Sequence, residues 1–194
     1  MIDVFECLKK QFLECSRCKL AGLGRTQVVF GVGNTDADLM IIGEAPGLTE
    51  DTEGKPFVGR SGKLLTNILK ELDVDRDSIY VSNIVKCRPP NNRNPEKDEI
   101  DTCNTILSAE INIVRPKVII ALGTFASQTI LQTTERISAI RGKKYPCWLS
   151  HKLCVDVIPT FHPSYILKNA SKKEDFILDL KQALRIVRRS NGQI

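Results

Sequence analysis

The chain has 194 residues, 42% hydrophobic and 26% charged, the balance of a folded globular domain long enough for a three-layer core. No stretch approaches the roughly 18 consecutive apolar residues of a membrane span. The opening MIDVFECLKKQFLEC lacks the unbroken hydrophobic block of a secretory signal, so a cytoplasmic protein of one domain, residues 1–194, is expected. The net charge of +5, from 28 basic and 23 acidic side chains, leans toward polyanions but cannot alone establish nucleic-acid binding.

An amphipathic segment from Asp3 to Leu13 runs into Cys15-Ser16-Arg17-Cys18 and a glycine-rich loop. Asp38 to Gly43 is a short apolar run that stops at a glycine, the signature of a buried strand. Ser61 to Leu72 carries apolar residues at Leu64, Leu65, Ile68, Leu69 and Leu72, a helix with one buried face and Ser61 as its N-cap. Ile79 to Val85 is the next strand. Pro95 to Ile113 is a helix that opens on one proline and is closed by Pro116. Val118 to Leu122 is a third strand, Gly123 to Leu131 a helix, and Cys154 to Ile158 a fourth strand. A basic amphipathic helix, Lys172 to Arg189, ends the chain.

This alternation predicts an α/β three-layer sandwich, a central four-stranded parallel sheet with helices on both faces. Ligands of such sheets collect beyond the carboxyl ends of the strands. The segments there are Gly43-Glu44-Ala45-Pro46-Gly47, Asn83 with Lys86-Cys87-Arg88-Pro89-Pro90, and Thr160-Phe161-His162-Pro163-Ser164. The unusual chemistry of the chain falls on one rim.

Seven cysteines without an export signal favour metal or cluster chemistry over disulfides. Cys15 and Cys18 as a pair, with Cys87 and Cys103 as singles, suit a soft-metal site. Zinc and a four-iron cluster both accept four thiolates, and the spacing does not separate them. Cys7, Cys147 and Cys154 are read as packing residues, and His151 as a surface residue.

Together these residues resemble the family 4 uracil-DNA glycosylases, the iron–sulfur branch of that superfamily, along nearly the whole chain. The resemblance is carried by the paired cysteines, GEAPG at Gly43 to Gly47, GKPFVGRSGKLL at Gly54 to Leu65, SNIVKCRPPNNRNP at Ser82 to Pro95 and HPSYIL at His162 to Leu167. It implies hydrolysis of the N-glycosidic bond of uracil in DNA, with a [4Fe–4S] cluster on Cys15, Cys18, Cys87 and Cys103 that organises DNA-contacting loops without redox catalysis. It implies a monomer acting on uracil-containing DNA, and a sliding clamp is a further expected partner near either terminus.

On this resemblance Phe57, set in a loop by Pro56 and Gly59, stacks on a base flipped out of the helix. Asn83 offers one donor and one acceptor, which match the position 4 carbonyl and position 3 N–H of uracil and mismatch cytosine. An Asn inside an apolar strand is unfavourable unless its amide finds a partner. His162, in the His-Pro-Ser loop, donates to the position 2 oxygen as charge builds there. Gly43 to Gly47 turns backbone N–H groups toward the pocket. Family 1 enzymes carry a water-positioning Asp where Ala45 stands and a methyl-excluding Tyr where Gly47 stands. Glu44 and Glu50 are the nearby carboxylates left to orient water, shape the pocket or hold the loop. Arg88, Arg93, Ser164 and Lys168 are the expected phosphate contacts, with Ile166 and Leu167 as an apolar wedge.

Two rivals bind uracil-DNA without turnover. A covalently trapped variant needs an Arg-Arg-Ile-His stretch where this chain reads Pro90-Asn91-Asn92-Arg93-Asn94-Pro95. A non-enzymatic binding module would have no use for Asn83 together with His162. A small electron carrier would leave GEAPG and His-Pro-Ser unexplained.

Overall fold

The computed structural model describes residues 4–150, 153–190 and 192; His151 lies outside them. In chain order the elements are α1 (Val4–Phe12), β1 (Val32–Gly33), β2 (Leu39–Gly43), α2 (Leu48–Glu53), α3 (Arg60–Glu71), β3 (Tyr80–Asn83) and α4 (Lys97–Val114). Then come β4 (Val118–Leu122), α5 (Gly123–Leu131), α6 (Ile137–Ile140), β5 (Tyr145–Ser150), β6 (Leu153–Thr160), α7 (Pro163–Lys168) and α8 (Lys173–Ser190). None of these helices is long and apolar enough to cross a membrane.

The strands form one mixed sheet of six, in the order β1-β3-β2-β4-β6-β5. This corrects the expectation of four parallel strands. β3, β2, β4 and β6 do run parallel, but β1 and β5 are added antiparallel at the two edges. Neither edge had a readable signal: β1 is two residues long, and β5 contains Pro146 and a register shift between Trp148 and Ser150. Such irregularities are typical of protected edges.

Residues of the inner strands alternate between two cores. Met40, Ile42, Ile119 and Ala121 pack with α1, α4 and α5 on one face. Leu39, Ile41, Val118 and Ile120 pack with α3, α7 and α8 on the other. Burial on both faces explains why these strands read as continuous apolar runs.

Helix starts differ from the expected ones. Gly59 is the N-cap of α3, so Ser61 lies inside the first turn. The fourth helix begins at Lys97, two residues after Pro95, because the Glu99 carboxylate reaches back to the Glu96 backbone N–H at 2.7 Å.

Candidate active site

The carboxyl ends of the four parallel strands share one rim. The chain leaves β2 toward the face that holds α3 and leaves β4 toward the face that holds α5. That divergence opens a crevice between β2 and β4, where α/β sheets bind ligands.

The crevice is a cleft of about 590 Å³ lined by Glu44, Ala45, Gly47, Glu50, Phe57, Asn83, Arg93, His162, Ser164 and Lys168. The loops after β2, β3 and β6 and the loop before α3 therefore meet in one place. Arg88, Ile166 and Leu167 are the expected residues that do not line it.

Phe57 and Asn83 close on the same backbone atom. A Cβ at Gly43 would overlap the Phe57 ring and Asn83 Oδ1 together, so that strand end has room only for glycine. Phe57 holds φ at 55°, a left-handed conformation disfavoured for a bulky residue. Gly62 makes it possible, since any Cβ there would overlap the Phe57 carbonyl. The Phe57 ring centroid lies 5.8 Å from that of His162, tilted by 36°.

Asn83 is 2% exposed, and its Oδ1 has no hydrogen-bond partner. An unpaired buried acceptor costs about 1–3 kcal/mol, which marks it as waiting for a donor. Its backbone carbonyl accepts from Lys86 Nζ at 2.7 Å.

His162 caps α7. Its Nδ1 accepts from the Ser164 backbone N–H at 3.2 Å and lies 2.8 Å from Ser164 Oγ. A ring nitrogen that accepts a backbone N–H is unprotonated, so the neutral ring carries its proton on Nε2. Burial pushes the imidazole down to about 4, against the opposing pull of the Glu50 charge. The ring is a neutral donor throughout the physiological range.

The two carboxylates have separate situations. Glu50 holds loops: Oε1 accepts from Val58 and Gly59 N–H at 3.0 and 2.7 Å, and Oε2 accepts from Gly47 N–H at 3.2 Å. Glu44 is pushed up to about 7 by burial. It is the titratable carboxyl poised near neutrality in the cleft.

Of the expected DNA contacts, Ser164 and Lys168 line the cleft. Arg93 grips Glu99 with both Nη atoms, at 2.9 and 2.6 Å, and braces the proline-rich loop against α4. Arg88 donates to Asn92 Oδ1 at 2.7 Å. Ile166 requires a correction: at 3% exposure it is a core residue beneath α7. A wedge can use only Leu167, which is 44% exposed.

Sequence reasoning missed a buried polar cluster behind Asn83. Lys86 and Glu110, both fully buried, pair at 2.6 Å. Lys86 Nζ also donates to Ser82 Oγ, while Glu110 accepts from Ser82 Oγ and from the Gly31 N–H. The available signal was an acid on the apolar stripe of a helix, since Glu110 lies three and four residues beyond Leu107 and Ile106.

Cys15, Cys18, Cys87 and Cys103 line one small pocket with Val28 and Ile106. Arg25 Nη1 donates to Cys87 Sγ at 2.8 Å, and the Lys86 backbone N–H donates to Cys103 Sγ at 3.3 Å. Such donors to sulfur are what thiolate-bound clusters receive from their surroundings. No group of three or more His, Cys, Asp or Glu among the described residues is arranged to hold a single metal ion. Four cysteines brought to one pocket, with N–H donors to two of their sulfurs, are a donor set of the kind a thiolate-held cluster uses. Arg25 Nη2 also binds the Cys15 carbonyl at 2.6 Å. The next residue, Thr26, donates its N–H to the buried Asp51 of α2 at 2.9 Å.

Residues 30–185 match the family model of the Uracil DNA glycosylase superfamily. The chain is 44% identical over 172 residues to the type-4 uracil-DNA glycosylase of Thermotoga maritima, covering 88% of this chain and 87% of that protein. It is 41% identical over 186 residues to the type-4 enzyme of Sulfurisphaera tokodaii, covering 93% and 84%. To that of Archaeoglobus fulgidus it is 38% identical over 185 residues, covering 93% and 92%. The chain belongs to the uracil DNA glycosylase superfamily and, within it, to the type-4 family.

Proposed function

We propose that this protein hydrolyses the bond between uracil and deoxyribose in DNA, releasing uracil and leaving an abasic site for base excision repair. The observation that carries the reading is the unpartnered Oδ1 of Asn83, buried in the same cleft as Phe57 and His162. In this reading Phe57 covers one face of a flipped uracil. Asn83 Oδ1 accepts the position 3 N–H, and its NH2 donates to the position 4 oxygen. Cytosine, with a bare N3 and an exocyclic amine, would leave both amide groups mispaired.

As the glycosidic bond breaks, its electron pair passes into the uracil ring and charge builds on the position 2 oxygen. His162 Nε2–H stabilises that charge as a hydrogen-bond donor and remains protonated on the same nitrogen. Water supplies the oxygen that joins C1′, and in this reading ionised Glu44, which lines the cleft, orients it and takes its proton. Ser164 and Lys168 hold the phosphates flanking the flipped nucleotide.

Cys15, Cys18, Cys87 and Cys103 are the residues that would hold a [4Fe–4S] cluster. When bound, it supplies a rigid thiolate-anchored hub with no part in bond cleavage. Cys87 lies four residues beyond Asn83, so fixing it steadies the loop that follows the reading amide.

A uracil-containing oligonucleotide incubated with the protein and then treated with alkali tests this reading. Strand scission at uracil is expected, and an intact strand would refute it. Asn83→Asp removes the donor from the amide, so the preference for uracil over cytosine should fall by about ten- to a hundredfold. An unchanged ratio of the two release rates would rule out the reading role.

A further inference from the structure

We propose that a second pocket, on the far side of the His162 loop, binds the base of the nucleotide next to uracil on the same strand. The proposal rests on the reading that the first cleft takes a flipped uracil. The second pocket measures about 490 Å³ and shares Glu44, His162 and Ser164 with that cleft. The two pockets therefore adjoin at the His162 loop, so an occupant of one lies beside an occupant of the other.

The walls are those of a site for a flat ring. They include Phe125 of α5, Ile137 of α6, and Phe161 and Tyr165, which flank the His-Pro-Ser turn. The Phe161 and Tyr165 rings are 5.0 Å apart and tilted by 32°. Phe161 is fixed, since it is 7% exposed and carries the Arg141 guanidinium 5.1 Å from its ring centre. Tyr165 is 42% exposed, a large aromatic beside a proposed DNA interface and available for stacking.

A cation completes the site. Arg136 lines the pocket, is exposed, and has no ion pair among the described residues. Aromatic walls with a single guanidinium at the rim match a nucleotide, whose base stacks while its phosphate meets the arginine. Continuity with the uracil cleft makes a nucleotide of the same strand the occupant, with no second molecule required.

The test uses single-stranded oligonucleotides in which uracil has a normal neighbour or an abasic spacer, placed immediately 5′ or 3′. Binding and single-turnover uracil release are measured for the wild type, Tyr165→Ala and Arg136→Ala. Replacing the neighbour with a spacer on one of the two sides should weaken wild-type binding by about tenfold. Tyr165→Ala should bind both substrates alike, at the level of wild type on the spacer substrate, and should still release uracil from it at the wild-type rate. Arg136→Ala should flatten the salt dependence of binding by about one phosphate contact. A wild type indifferent to spacers on both sides, or Tyr165→Ala with the wild-type preference intact, would overturn the proposal. Failure of the underlying reading has another signature: no uracil released from any substrate, whatever its neighbour.

Discussion

An amide oxygen buried without a donor is costly, and this chain bears that cost at the end of a fully buried strand. The neighbouring imidazole is treated in the same spirit. His162 is desolvated, caps α7 through Nδ1 and lines the cleft. His162→Ala should lower the single-turnover rate by about 10²–10³, the usual loss for a preorganised donor, with a smaller change in binding; wild-type rates would refute the assignment. Glu44 gives the pH signature. Its folded pKa, raised to about 7 from an ordinary 4.5, means that the folded state binds more protons than the unfolded one between those values. Its contribution to stability is present at low pH and is lost as pH rises through about 7. Glu44→Gln should therefore melt higher than wild type at pH 8 and like wild type at pH 4. It should also lose the limb of the rate profile that rises through neutrality. A melting difference independent of pH would sink this account.

Elements carry their own lesson about what a sequence reveals. The positions of Gly43, Asn83 and His162 were legible because each sits at or just past a strand end, where local residue types change. Glu50 was ambiguous because its role depends on three N–H groups from two loops, none of which local pattern can place. Ile166 misled for a related reason. The segment after His162 looks like a continuing loop but turns helical at Pro163, and the fourth residue beyond the histidine then points inward. The edge strands were silent because short or kinked strands have no period. Lys86 and Glu110 were missed because each alone looks like a solvated charge. Together they tie α4 to the end of β3, and Lys86→Met would leave Glu110 buried without its cation. That loss should cost about 3–5 kcal/mol in denaturant unfolding, and a double replacement of both by apolar residues should recover much of it. A single variant as stable as wild type would show that the pair does not support the strand.

Across the whole molecule, the four cysteines come from the segment after α1, the loop after β3 and the interior of α4. A cluster on them would join distant stretches of chain and confine the unfolded state as other cross-links do. Protein purified anaerobically should be brown with broad visible absorption, and chelation of its iron should lower the melting temperature. A colourless, zinc-loaded protein would contradict the cluster.

Arg25 gives this hub a mechanical reach. One side of its guanidinium touches a sulfur and a carbonyl of the cysteine cage, and the adjoining peptide is clamped to Asp51, in the short helix that follows the GEAPG turn. Slack at the sulfurs would therefore be passed through these contacts to the helix whose first turn lines the cleft. A molecule wired this way would lose its grip on its target before it lost its shape, so injury to the cage would silence repair while the fold still stood.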